Sequence, residues 1–408
     1  MISFKRYIIE QKNTHMEHIE DLVFNEGVKG TRKAIFFLRD LRNMLAGHTT
    51  SPVIATVKWD GAPAVFAGID PSDGQFFVAK KGVFNKNPKV YKTPEDVKAD
   101  TSGDLQSKLL IALEEFKKLG IKSGVYQGDL MFTSSDIATE TIDGEKYYTF
   151  QPNTIVYAVP TNSHLGKVIR RAKIGIVWHT VYSGSSFENM SASFGKSIVS
   201  TFRKSTSIWQ DDATYKDVSG VATFTKKDTE EITSILSEAG QLFQRVPASL
   251  INAFSENDEL LMRTKTFNNT LVRAGKTLNP KTHTQGLMDY IHNFYQKEID
   301  SKKTDASKEK WREKQRSVMT VFTRFSKSDF ENLFKLVNTL VQAKQMIIDK
   351  MNRVSGLGTF LRTRQGFEVT NQEGFVAIDH IGNAIKLVDR MEFSRANFSK
   401  EIIKGWER

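Results

Sequence analysis

Val53-Ile-Ala-Thr-Val-Lys58-Trp-Asp-Gly61-Ala-Pro-Ala-Val-Phe-Ala-Gly-Ile69 alternates in side-chain character and is rich in β-branched residues. Phe76-Phe-Val-Ala-Lys-Lys-Gly-Val-Phe84 repeats the pattern after the turn-forming Asp70-Pro-Ser-Asp-Gly74. A period of two predicts strands, and the polar Gly-containing break predicts a hairpin between them. Working outward, three more runs read as strands: 124–132 (GVYQGDLMF), 154–160 (TIVYAVP) and 174–182 (IGIVWHTVY). Near the far end, 373–388 (EGFVAIDHIGNAIKLV) has two alternating arms around Ile381-Gly-Asn-Ala384, a two-residue hairpin signal.

Helical signals surround and interrupt these strands. Residues 14–50 read as helix, opened by Thr14 with Glu17 as a capping box. His15 and His18 have a metal-compatible spacing there, though an exposed first turn explains them more simply. A helix is predicted over LQSKLLIALEEFKKLG, stopping at Gly120. From 226 to 354 the period is helical, with Phe330, Leu333, Phe334, Val337, Leu340 and Val341 on one face and a capping box at Ser328 and Glu331. Residues 183–207 carry nine serines and predict a loop or linker.

The predicted organisation is α+β. A helical segment (1–50) packs on a β-rich domain (51–190), followed by a Ser-rich linker (191–225). A helical insertion (226–365) comes next, then a closing hairpin and tail (366–408).

Composition narrows the function. The 408 residues contain no cysteine, which excludes disulfides, thiolate zinc sites and a cysteine nucleophile. No apolar run reaches the length of a membrane span, and residues 1–18 lack a signal-peptide core. A soluble, cytoplasmic protein is expected. Lys and Arg total 58 against 47 Asp and Glu, a net +11 that favours a phosphate-bearing partner. Residues 297–327 hold ten Lys or Arg against five acids. That stretch reads as a solvated helix face or as a phosphate-tracking surface.

Chemistry-bearing residues fall at strand ends. Lys58, partly desolvated and among other cations, has the features of an activated amine nucleophile. Lys80, Lys81 and Lys386 would supply a positive field for a triphosphate. Asp60-Gly61 would let the chain turn tightly beside a nucleotide. Asp129 and Glu373 would accept hydrogen bonds from a ribose or help hold Mg²⁺.

The ordered set Lys58-Trp-Asp-Gly61, Gly128-Asp-Leu130, Ile174-Gly-Ile-Val-Trp178, Glu373-Gly-Phe-Val376 and Ile385-Lys-Leu387 resembles the covalent nucleotidyltransferases. These are the ATP-dependent DNA ligases, RNA ligases and mRNA capping enzymes. Pro152-Asn-Thr-Ile-Val156 brings it nearest to the RNA ligases of T-even-type phages. The likeness spans roughly 53–182 and 366–392 and leaves out the helical insertion.

The resemblance implies an ATP-grasp-like nucleotidyltransferase domain of antiparallel sheets, acting with ATP and Mg²⁺ or Mn²⁺. It makes Lys58 the amine that takes AMP. Thr56 and the Val57 backbone would contact adenine, and Trp178 or a strand neighbour would pack on the base. Glu373 would serve ribose and metal, Asp129 would stand where the family has Glu, and Lys386 would assist both AMP transfers. Lys80 or Lys81 would line the same cleft.

Three departures stand out: Pro63 where DNA ligases carry Arg, one lysine instead of two on the last strand, and too few residues after Val388 for the barrel of DNA ligases and capping enzymes. The expected function is RNA-ligase-type joining of a 5′-phosphate to a 3′-hydroxyl, in a phage-infected host's cytoplasm if phage-encoded. The alternatives are a DNA or mixed-end ligase, or a non-catalytic nucleic-acid binder on the same scaffold. No membrane partner is expected.

Overall fold

The computed structural model describes residues 17–47, 54–214, 224–352, 357–378 and 384–407. Thr14, His15 and the turn at Ile381 lie outside these residues. The fold is α+β, built from three sheets and a helical block. Its strands, in order, are β1 (Ile54–Lys58), β2 (Ala64–Ile69), β3 (Phe76–Ala79), β4 (Val125–Thr133), β5 (Ala138–Ile142), β6 (Glu145–Phe150) and β7 (Ile155–Pro160). They continue as β8 (Ile174–Ser183), β9 (Ser191–Phe194), β10 (Ile208–Asp212), β11 (Gly358–Thr363), β12 (Gly366–Val369), β13 (Gly374–Ile378) and β14 (Ala384–Leu387). The helices are α1 (Leu22–Asn25), α2 (Gly27–Leu45), α3 (Pro94–Asp100), α4 (Gly103–Phe116), α5 (His164–Arg171) and α6 (Lys226–Arg245). After them come α7 (Ala248–Ser255), α8 (Asp258–Arg273), α9 (His283–Ser301), α10 (Asp305–Arg324), α11 (Lys327–Met351) and α12 (Arg390–Phe398).

The first sheet has the order β1-β13-β14, the second β10-β8-β4-β2-β3 with β9 also on β8, and the third β12-β11-β7-β6-β5. All pairings are antiparallel except β8 with β10. The 53–69 run is therefore two strands, not one. Trp59 to Pro63 breaks it, β1 joins the final hairpin, and β2 pairs with β3 as expected.

The helical block begins and ends close to where the sequence period placed it. Its N-terminal box on α11 is Ser326 with Asp329, not Ser328 with Glu331, because a cap must lie just outside the first turn. Glu331 instead lies 3.7 Å from Lys327. Phe330, Leu333, Phe334, Val337 and Leu340 are buried. Full burial of such side chains is worth about 1.5–3 kcal/mol each. Their core is shared with α2, α6 and α7 and with one face of the first sheet, through Ala55, Phe375, Ala377, Ile385 and Leu387.

Two predicted boundaries move. The serine-rich segment is not a free linker: β9 and β10 within it pair with β8. Residues 358–363, expected in the helical insertion, form strand β11, which pairs with β7 and with β12.

A buried charged cluster ties the elements together. Lys344 Nζ on α11 lies 2.8 Å from Glu20 Oε1, and Arg390 Nη1 on α12 lies 2.9 Å from Asp21 Oδ1. Burying such charges is tolerated only when they are paired. Among the described residues no helix is long and apolar enough to cross a membrane.

Candidate functional site

The first sheet decides which side chains share a surface. Alternation sends Ala55 and Val57, Phe375 and Ala377, and Ile385 and Leu387 toward the helical block. Thr56, Lys58, Val376 and Lys386 therefore face the other way. Thr56 stands opposite Val376, Val376 opposite Lys386, and Lys58 opposite Gly374. The Lys58 ammonium forms an ion pair with Glu373. The Lys386 amine is pushed below the ordinary lysine value, first by burial and then by the Lys58 charge, which puts the two amines in one electrostatic environment.

Glycines allow the close approach. A Cβ on Gly61 would sit 2.6 Å from Asp129 Cβ and 3.0 Å from the Leu130 carbonyl oxygen. A Cβ on Gly374, whose φ is +148°, would sit 2.6 Å from the Leu387 carbonyl oxygen. Only glycine fits either place without displacing backbone or β4.

Asp60 serves as an anchor. Its buried carboxylate accepts hydrogen bonds from Asn153 Nδ2 (2.6 Å), the Thr154 N–H (2.7 Å) and the Ile155 N–H (2.7 Å). Its own N–H donates to Tyr157 Oη at 2.9 Å. The Trp59 ring lies 5.4 Å from that of Tyr157. The Lys-x-Asp-Gly turn is thus pinned to the start of β7, and Lys58 is held just before the pin.

Acidity is concentrated here. Burial raises Glu373 to about 7, against the opposing pull of Lys58; Asp60 and Asp129 add to the rise. Burial also raises Asp60 above the usual carboxylate value, despite its hydrogen bonds. Asp129 has a partner that sequence reasoning missed: His179 Nε2 lies 3.7 Å from Asp129 Oδ1. His179 Nδ1 in turn lies 2.7 Å from Thr180 Oγ1. No local motif marks this pair, because it forms across β4 and β8.

Several residues expected at the nucleotide have partners within the fold. Trp178 is only 1% exposed and packs against Phe116, Tyr126 and Phe202, with Nε1 donating to Gln210. It faces α4, so it offers no ring face to a base. Lys80 is 3.1 Å from Asp100 and lies over the Tyr91 ring, while Lys81 sits exposed on the next turn. Thr56 Oγ1 is buried and donates to the Val376 carbonyl at 3.4 Å. The Val57 N–H donates to the Ala213 carbonyl at 2.7 Å, which leaves it nothing to offer adenine.

His18, the described member of the His15–His18 pair, is half-buried beside β14, not in an exposed turn, and desolvation lowers it to about 3.

Among the described residues no three His, Asp or Glu side chains converge as a metal cage. What the site contains is two amines facing one side of a sheet, with one of them paired to a carboxyl of raised pKa. A second carboxylate stands beside a glycine-lined turn.

This defines an α+β protein with a lysine–carboxylate cluster on one face of a sheet. The chain belongs to a family of unknown function, DUF6267, whose model matches residues 13–402. No curated protein and no solved structure shows significant similarity to it.

Proposed function

We propose that the protein is an ATP-dependent polynucleotide ligase of RNA-ligase type that works through a lysyl-AMP intermediate. The reading is carried by one observation. Lys58 is ion-paired to Glu373 on the same sheet face that presents Lys386, beside the pinned Asp60-Gly61 turn. In this reading the three sheets form an ATP-grasp-like adenylation domain.

A free amine is needed for attack, and Glu373, raised to about 7, can take the Lys58 proton near neutral pH. Lys58 Nζ attacks the α-phosphorus of ATP; the P–N bond forms and the bond to the pyrophosphate oxygen breaks. Lys386 balances the charge that develops on the α-phosphate. A 5′-phosphate oxygen of the strand then attacks the phosphoramide phosphorus, and Lys58 leaves with a proton restored. The 3′-hydroxyl finally attacks the 5′-phosphorus, forming the phosphodiester and releasing AMP.

The donor set suits Mg²⁺ carried in with phosphates, since that ion is commonly bound through one or two carboxylates and keeps several waters. Asp129 is the carboxylate that would meet it throughout, and Glu373 would do so only while ionised. When bound, the ion would draw charge from the phosphate oxygens.

The test offers 5′-phosphorylated RNA and DNA with free 3′-hydroxyls, in ATP and Mg²⁺, to the purified protein. Denaturing electrophoresis should show a 5′-adenylylated strand and a joined product. Absence of both products on either polymer would contradict the reading.

A further inference from the structure

We infer that the outer face of α2 is the surface that grips a single-stranded polynucleotide. The inference rests on the ligase reading for its choice of partner, and it assigns that role to residues other than the basic run at 297–327. Four residues of α2, Lys29, Arg32, Phe36 and Arg39, recur at intervals of three and four. At 100° per residue they lie within one stripe, about 15 Å long.

All four are exposed, Phe36 by 48%. The opposite face of the same helix is buried through Ala34, Ile35, Leu38 and Leu41. The stripe is thus held rigidly against the helical block.

An exposed ring among its cations distinguishes this face from the longer basic run, where Trp311 is half-buried and several cations are paired. On α10, Arg312 and Arg316 are both drawn to Glu309, and Lys314 lies 3.3 Å from Glu259. Lys302, just before α10, lies 2.8 Å from Glu298, and Lys302 and Lys314 flank the Trp311 ring. Those four cations are ion-paired, whereas Lys297, Lys303, Lys308, Lys310 and Arg324 of the same run carry no ion pair among the described residues.

On α2, Lys33 is 3.5 Å from Glu26, and Asp40 is half-buried with a partner of its own. Among the described residues no ion pair holds Lys29, Arg32 or Arg39. The Arg39 guanidinium carbon instead lies 5.5 Å from the Phe36 ring centroid. Alongside, Arg42 Nη1 reaches Thr233 Oγ1 on α6 at 3.0 Å, which extends the surface with hydroxyl groups.

Cations at helical spacing, with no ion pair among the described residues, can track a phosphodiester backbone, and an exposed ring between them offers a stacking platform for a base. A stackable base separates this partner from other polyanions and explains why Phe36 is left in solvent.

The experiment measures anisotropy of a labelled single-stranded oligonucleotide with the full chain across a salt series. Lys29→Gln/Arg32→Gln/Arg39→Gln should weaken binding at least tenfold and reduce the salt slope by about two, since each lost contact removes about 0.7 on single strands. Phe36→Ala should weaken binding by about fivefold or more. Arg312→Gln/Arg316→Gln should stay within twofold of the parent.

A triple variant that binds like the parent overturns the inference. So does a triple variant that keeps oligonucleotide binding but loses binding to phosphatidylserine-containing vesicles, assayed in parallel by co-sedimentation. AMP-adduct formation is read separately. Binding that depends on α2 without any adduct supports this surface and removes the ligase reading. An adduct with α2-independent binding does the reverse.

Discussion

The molecule uses the Lys–Glu pair twice, to opposite ends. Lys344 and Glu20 are both almost wholly buried, and Arg390 stands 3.6 Å from the same Glu20 oxygen. Although burial opposes it, this positive surrounding holds Glu20 well down, at about 2. Lys58 and Glu373 are joined just as closely, yet Glu373 rises to about 7, because burial wins and Asp60 and Asp129 add negative charge. A carboxylate surrounded by cations holds elements together. A carboxyl whose burial and neighbouring acids outweigh its cations is ready to take a proton.

The largest expected effect breaks the structural pair. Lys344→Ala should lower the unfolding free energy by about 3 kcal/mol in urea titrations, since it removes the nearest cation of a buried carboxylate and leaves only Arg390, 3.6 Å away, to offset its charge. Lys58→Ala should change it by less than about 1 kcal/mol at pH 7, because Glu373 can accept a proton instead of remaining charged. Equal losses in the two variants would erase the distinction.

The pH response should separate the two glutamates by sign. Glu373 titrates at about 7 in the fold against an ordinary 4.5, so the folded state binds the extra proton. Its contribution to stability falls by about 3 kcal/mol as pH rises from about 4.5 through 7. Glu20 is lowered, so its contribution is present above about 4.5 and is lost as pH falls toward 2. Glu373→Gln should therefore flatten the stability profile between pH 5 and 8, measured by thermal or urea unfolding. A variant with the parent's profile would refute the assignment.

Gly61→Ala comes next. The new Cβ meets β4 and should cost about 1–3 kcal/mol while slowing adduct formation. The smallest effect is expected at His179. His179→Ala should leave folding intact and slow single-turnover adduct formation by about fivefold, the equivalent of about 1 kcal/mol.

Much of this arrangement was legible in the sequence, for reasons that individual residues make clear. Lys58, Glu373 and Lys386 could be found because each ends, immediately precedes or occupies a run of apolar and β-branched residues that reads as a strand. Register then places Lys58 and Lys386 on one face and Glu373 beside them. The helical block was legible because its apolar period persists for many turns.

Strands β5 (ATETI), β6 (EKYYTF) and β10 (IWQDD) were hidden by their polar content. Lys80 misled because charge carries no direction, and its partner Asp100 is supplied by α3. Trp178 misled because alternation divides a strand into two faces without saying which one borders the site. Its sheet face is filled by α4 and by Phe202. The His179–Asp129 contact was invisible because it depends on the pairing of β4 with β8, where the register shifts between Gln127 and Gly128.

The central claim is that Lys58 is the amine that becomes adenylylated. The direct test strips the protein with pyrophosphate, incubates it with ATP and Mg²⁺, and maps the modified peptide by mass spectrometry under conditions that preserve phosphoramides. The account predicts one added AMP on the peptide containing Lys58, none on the peptide containing Lys344, and no adduct in Lys58→Ala. An AMP carried on another lysine, or no adduct with ATP or GTP, would contradict it.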